Sequence, residues 1–277
     1  MTIEFSKYQG LGNDFLLIDN RDQTELKLTP EAVQKWCDRH FGVGADGVIF
    51  LCKTPTGDYQ MRIINSDGTE PEMCGNGIRC LAKFMQDIGI PAQDNRYQIK
   101  TGAGWIVPEF CPGGEIAVDM GEPRLSGGQI PTTLGDPNQP VINVPLSVAG
   151  QEWRVTLVSM GNPHCVVFVE EVAQIPYTQI GREFEHHPVF PARINTEFVQ
   201  VIDRQYLKMR VWERGAGATL ACGTGACASV VAGVLNNYCD RSAVVELLGG
   251  KLRIHWSETT NRLTMTGKAE FVFRGWL

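Results

Sequence analysis

The sequence is short of several things, and each shortage removes a class of protein. It lacks an excess of basic residues. Its 25 Lys and Arg stand against 31 Asp and Glu, a formal charge of −6, so a nucleic-acid partner has no electrostatic support. It lacks a cationic leader followed by an apolar run over Met1 to Lys7. No apolar stretch approaches the roughly 18 residues of a membrane span, so a cytoplasmic chain with no membrane partner is expected. It also lacks any Cys-x-x-Cys pair among nine cysteines, which removes the usual signatures of structural zinc and of a thioredoxin-like redox centre. No metal is expected. A reducing compartment would keep the thiols reduced, and most of them read as small buried hydrophobes. The acidic total leaves room for an anionic small-molecule substrate held in a locally positive site.

The 277 residues exceed one typical core and suit two domains of roughly 130 residues each. The chain also repeats itself weakly. Met61-Arg62-Ile63-Ile64-Asn65 precedes Cys74-Gly75-Asn76-Gly77, and Met209-Arg210-Val211-Trp212-Glu213 precedes Cys222-Gly223-Thr224-Gly225. The strand residues and the motif share one offset of 148. Gly12-Asn13 answers to Gly161-Asn162, Gly102 to Gly249, and Met120-Gly121 to Thr266-Gly267, within two residues of that offset.

Each half therefore reads as one module. A strand (60–65; 207–212) enters a polar loop that delivers Cys-Gly-x-Gly. A helix follows, 77–88 with Gly89 as its stop, and 225 to about 237. β-rich segments close each half, at 97–101, 104–110 and 115–120, then 243–247, 251–256 and 262–266. A further helix opens at Thr29-Pro30-Glu31, a cap followed by proline at the first helical position. The Gly/Pro-rich run 123–140 reads as a linker. The expected fold class is α+β with two pseudo-symmetric lobes, 1–122 carrying Cys74 and 123–277 carrying Cys222. The last strand has the option of packing on the first lobe. A cleft between such lobes is the default ligand site.

The repeated motif carries chemistry because of what it supplies. A cysteine at the first turn of a helix is favoured as thiolate relative to an ordinary thiol near ~8.5. The glycines behind it leave backbone N–H groups uncovered, as in helix ends that bind carboxylates. One thiol and one anion cradle per half suit inversion at a Cα: one thiolate removes the proton from one face and the opposite thiol supplies one to the other. The difficulty is the acidity gap. An amino-acid Cα–H is weaker than a thiol by at least ~10 pKa units, or roughly 14 kcal/mol. Preorganised helix ends in a closed cleft are the plausible source of that stabilisation. Cys37, Cys52, Cys80, Cys111, Cys165, Cys227 and Cys239 lack the matched context and read as packing residues.

Five blocks then resemble the diaminopimelate epimerase family, in order and over nearly the whole chain. They are Gly12-Asn13-Asp14-Phe15; Asn65-Ser66-Asp67-Gly68-Thr69 with Cys74-Gly75-Asn76-Gly77-Ile78-Arg79; Gly161-Asn162-Pro163-His164; Asn195-Thr196-Glu197-Phe198; and Glu213-Arg214-Gly215-Ala216-Gly217 with Cys222-Gly223-Thr224-Gly225. The resemblance implies interconversion of LL- and meso-diaminopimelate without a cofactor, in lysine and cell-wall precursor synthesis. It implies lobes built as a β-barrel-like mixed sheet around a central helix, assembled as a homodimer. Carried over residue by residue, Cys74 and Cys222 are the acid/base pair. Gly75, Asn76, Gly223 and Thr224 hold the α-carboxylate. Asn13, Asn65, Asn162, Asn195 and Arg214 bind the rest of the substrate. His164 and Glu213 lie near the thiols, either to tune them or to meet the α-amino group. An Arg fork suits the distal carboxylate, and Asn side chains offer both donors and acceptors.

On the residues alone, Asn13 and Asn195 also suit turns, Arg214 a surface ion pair, His164 a satisfied loop position and Glu213 a solvated strand end. Two positions depart from the family. Gly47 stands where some members have Gln in the site, and Phe273 where some have Tyr at the dimer interface. Two rival readings stay open. One is a proline racemase or hydroxyproline epimerase, which shares Cys-Gly-x-Gly but typically has His where Asn76 stands. The other is a binding protein whose paired thiols act as a redox switch.

Overall fold

The computed structural model describes residues 2–277. The chain forms two compact units, one running to Asp119 and including Gly267–Leu277, the other Met120–Thr266.

The first unit contains β1 (Glu4–Gly10), β2 (Asn13–Asp19), α1 (Pro30–Cys37), β3 (Gly47–Lys53), β4 (Tyr59–Asn65), α2 (Gly75–Asp87), β5 (Ile99–Thr101), β6 (Gly104–Ile106), β7 (Glu109–Phe110) and the start of β8 (Ile116–Gly121). The second contains β9 (Val144–Val148), β10 (Gln151–Ser159), β11 (Pro163–Val169), α3 (Tyr177–Glu185), β12 (Asn195–Asp203), β13 (Tyr206–Glu213), β14 (Gly217–Ala218), α4 (Gly223–Leu235), β15 (Ser242–Leu247), β16 (Gly250–Trp256) and β17 (Leu263–Gly267). The chain ends in β18 (Glu270–Trp276), which pairs antiparallel with β1.

In the first unit the sheet runs β18-β1-β2-β3-β4-β5-β6, with parallel pairs at β2/β3 and β4/β5 and antiparallel pairs elsewhere. Helix α2 packs on β1, β2, β3 and β18. Its inward face is Ile78, Leu81, Ala82, Phe84 and Met85, all buried. Cys74 caps it with extended backbone and a thiol that accepts the Gly77 N–H. Gly89 ends it at φ +79°, a conformation that favours glycine. The helix starts two residues before the expected 77 because the cysteine itself is the cap. The strand expected over 104–110 is two short strands. Pro108 lacks an N–H to donate to a ladder, and the chain breaks at Val107-Pro108.

In the second unit the sheet runs β9-β10-β11-β12-β13-β15-β16-β17, with β14 paired to β13. It is mixed in the same way, with parallel pairs at β11/β12 and β13/β15. Helix α4 packs on β10, β11, β12, β13, β15 and β16. It is buried almost all round from Gly223 to Gly233, which its run of Gly, Ala, Ser and Val permits. Trp153, Phe184 and Phe198 meet edge to face in the adjoining core. The run 123–140 is not a free linker. Ile130 is wholly buried in this core, and the Gly127 and Gly128 amides donate to Gln139 and Pro137 carbonyls. Burial of Ile130, with Leu134 packed against the same core, folds the segment down. Each unit thus repeats one plan, a mixed sheet around a central helix capped by a cysteine. No helix among the described residues is long and apolar enough to cross a membrane.

Candidate active site

In the first unit, α2 and the β1–β2 turn bring three predicted residues together. The Cys74 thiol lies 3.9 Å from Asn13 Oδ1, and Asn76 Nδ2 donates to the same oxygen at 3.2 Å. Asn13 Nδ2 in turn donates to Asp46 at 2.6 Å. Asp46 is tied to Arg39, and Arg39 to Asp14. The Lys7 ammonium lies 2.7 Å from Asp14. Burial works against the Asp14 charge, but Arg39 and Lys7 outweigh it and hold the carboxyl below its ordinary range. Beneath Asn76, the fully buried Arg79 donates to Asn76 Oδ1 at 2.8 Å and to Gly75 O at 3.1 Å. The Ile78 N–H bonds Cys74 O, so the amides of Gly75 and Asn76 lie ahead of it at the helix mouth. Asn65 ends β4 opposite Gly47 and donates to Thr69. A Cβ at Gly47 would fall 2.8 Å from Ile64 O, so this backbone excludes the glutamine of some relatives.

In the second unit, the parallel β11/β12 pair sets His164 opposite Asn195. His164 is fully buried. Its Nδ1 lies 2.7 Å from Glu197 Oε1 and its Nε2 3.0 Å from Asn162 Oδ1. Asn162 Nδ2 donates to Thr224 Oγ1 at 3.2 Å, and that hydroxyl lies 3.6 Å from the Cys222 sulfur. Glu213 sits beside the same thiol and accepts from Thr219 Oγ1. Asn195 has both amide atoms on backbone, donating to Pro163 O and accepting the Arg214 N–H. The Arg214 guanidinium is exposed and touches Ala192 O. Buried Glu185 accepts the Trp212 indole N–H and the Gly215 N–H, anchoring the other side of this turn.

One expectation is corrected here. A helix end was expected to push each thiol toward thiolate. For Cys222 the opposite holds: burial, then the Glu213 and Glu197 carboxylates, drive it well above the ordinary thiol range. The Thr224 hydroxyl and Gly225 N–H pull the other way and do not prevail. Burial likewise raises Glu213. Desolvation and like charge outweigh one helix end.

The sequence reading gave no role to Glu197, Asp46, Arg79 or Glu185. A cavity of about 760 Å³ lined by Phe5, Leu17, Phe84 and Asp87 lies at the C-terminal end of α2. That is a helix length, roughly 20 Å, from Cys74, so it takes no part in thiol chemistry.

The family model for diaminopimelate epimerase matches residues 5–126 and 156–272. The chain belongs to the diaminopimelate epimerase family. The diaminopimelate epimerase 1 of Nostoc sp. is 63% identical over 277 residues, with 99% of both chains covered. The diaminopimelate epimerase of Nostoc punctiforme is 62% identical over the same length and coverage. Among solved structures, a phenazine biosynthesis protein of the PhzF family from Bacillus anthracis superposes at a TM-score of 0.69 and 16% identity, covering 100% of this chain and 99% of that one. A hydroxyproline epimerase from Agrobacterium vitis gives 0.68 and 13%, covering 100% and 91%. These two share the diaminopimelate epimerase-like fold of mixed-sheet lobes with four helices.

Proposed function

We propose that this chain is a diaminopimelate epimerase acting in lysine biosynthesis, and that it inverts one Cα of LL-diaminopimelate with Cys74 and Cys222. The observation that carries the mechanism is that each unit opens its central helix with a cysteine cap followed by Gly-x-Gly. The family membership and the two Nostoc relatives support the substrate.

In this reading the amides of Gly75, Asn76, Gly223 and Thr224 receive the α-carboxylate and stabilise it as carbanion charge spreads onto its oxygens. One sulfur removes the α-proton and the other delivers a proton to the opposite face. The two thiols start unequal. Burial and two carboxylates hold Cys222 protonated, so it is the donor in the resting enzyme. Glu213, itself raised, is placed to take and return that proton as the direction reverses. His164 acts on Cys222 through Asn162 and Thr224. Asn13, Asn65, Asn162, Asn195 and Arg214 read the remainder of the substrate, with the exposed Arg214 fork on the distal carboxylate. The chemistry calls for no cofactor.

The partner surface is β18. Phe271, Val272, Phe273, Trp276 and Leu277 are exposed there, and a homodimer through this strand would cover them. A cytoplasmic location goes with this reading. The test is solvent deuterium incorporation into diaminopimelate, with proline as control. Exchange into proline and none into diaminopimelate would put the chain with the proline enzymes.

A further inference from the structure

The mechanism above uses Glu197 only as a second negative charge near Cys222, yet it is among the most buried charged residues of the chain, with no exposed surface. It stands on β12 beneath the first turn of α4. A Cβ on Gly225 would fall 2.6 Å from its Oε1 and 3.2 Å from the Cys222 sulfur, so glycine is what lets carboxylate and thiol share this space. Its Oε2 has no hydrogen-bond partner among the described residues. A buried carboxyl with one oxygen unsatisfied is costly, and its other oxygen holds a single group, His164 Nδ1 at 2.7 Å.

The direction of the hydrogen bonds beyond His164 follows from donor chemistry. Asn162 presents its amide nitrogen to Thr224 and its oxygen to His164 Nε2. An amide oxygen only accepts, so His164 Nε2 carries a hydrogen. The Nδ1···Oε1 contact then holds one proton between Glu197 and His164. Thr224 Oγ1 accepts from Asn162, and its own O–H is free to donate to the Cys222 sulfur when that thiol ionises.

We infer that Glu197 is a positioning residue for Cys222: by fixing His164 with its hydrogen on Nε2, it orients Asn162 and Thr224 so that the Thr224 hydroxyl donates to the sulfur. Without the carboxyl, neutral His164 is released to carry its hydrogen on Nδ1. Its bare Nε2 would then face Asn162 Oδ1, two acceptors in contact. The Asn162 amide would turn over, and the Thr224 hydroxyl would donate to the amide oxygen instead of sulfur. The Cys222 thiolate would lose a donor while the neighbouring Glu213 stayed in place. The inference rests on reading Cys222 as a reacting thiol.

The test compares Glu197→Ala and Glu197→Gln with wild type. Iodoacetamide labelling at fixed pH is followed by mass spectrometry on the Cys222 peptide, with the Cys74 peptide as control in the same molecule. Both variants remove the Glu197 charge that raises Cys222, so the readout is the difference between them: Glu197→Ala is expected to label Cys222 about tenfold more slowly than Glu197→Gln, equivalent to about one pKa unit, with Cys74 unchanged. Glu197→Gln is expected to label Cys222 at least as fast as wild type, because a carboxamide N–H donated to Nδ1 keeps the hydrogen on Nε2 while the like charge is gone. Cys222 labelling in Glu197→Ala as fast as in Glu197→Gln overturns the inference, because charge and not hydrogen-bond direction is then at work. So does equal slowing at both cysteines, which means general loosening. Labelling needs no substrate, so its outcome is separate from that of deuterium exchange into diaminopimelate, which tests the epimerase reading.

Discussion

Replacing Gly225 by alanine puts one methyl group into a tightly packed part of the second unit. On helix propensity alone the change would stabilise α4 by about 1 kcal/mol, and the backbone at 225 is not in the left-handed region. Against this, the new Cβ would sit 2.6 Å from Glu197 Oε1 and 3.2 Å from Cys222 Sγ. Glu197 is fully buried and bonded to His164. It cannot retreat without opening that contact, which costs about 1–3 kcal/mol in a buried site, and overpacking adds about 1–3 kcal/mol. The net expectation is a loss of about 2 kcal/mol or more. For a unit of this size that lowers the melting temperature by roughly 4–8 °C. Gly77→Ala at the matching position of α2 is the control. There the new Cβ would meet the terminal methyl of Ile49 at 2.9 Å, the far end of an apolar side chain rather than a bonded carboxylate. Calorimetry and turnover are measured on both. A Gly225→Ala protein as stable and active as the Gly77→Ala protein would refute the reasoning.

Arg214→Lys keeps a charge but loses the planar fork, and should raise the Michaelis constant for diaminopimelate about tenfold or more with little change in kcat; an unaltered Michaelis constant returns Arg214 to its contact with Ala192. Burial pushes the thiols of Cys37, Cys80 and Cys239 up to about 12. The unfolded chain ionises near ~8.5, so between there and about 12 the unfolded state has fewer bound protons than the folded one, and stability falls as pH rises. Each thiol contributes a slope of about 1.4 kcal/mol per pH unit, and denaturant midpoints should be flat from pH 7 to 8 and drop steadily above 9. Phe273→Glu on β18 should leave Cys74 and Cys222 labelling intact and convert a dimer to a monomer by sedimentation; a wild type that already sediments as a monomer removes the proposed interface.

Much of this architecture is legible because the chain says it twice. The strand–loop–Cys-Gly-x-Gly–helix order fixes the central helix of each unit to within two residues, and the Gly89 and Thr29-Pro30 signals mark real helix ends. What sequence could not supply is register. Glu197 reaches His164 only because β11 and β12 run parallel with His164 opposite Asn195. Asp46 reaches Asn13 only because its loop returns beside β2, where the Asp46 N–H bonds Asp14 O. Helix α3 carried no clear signal, yet Gly181 in it makes room for the Trp212 ring that Glu185 holds. The electrostatics of Cys222 were misjudged for the same reason. A helix end is visible in sequence, while the two carboxylates that oppose it come from neighbouring strands.

The central claim is that two cysteines, one in each unit, share one inversion. Its most direct test is turnover of LL-diaminopimelate to the meso form by Cys74→Ala and Cys222→Ala beside wild type, with both variants shown to be folded. A positioned acid or base contributes about 10²-fold or more, so each variant should retain less than about 1% of wild-type turnover. Either variant retaining more than about 10% would contradict the two-thiol mechanism.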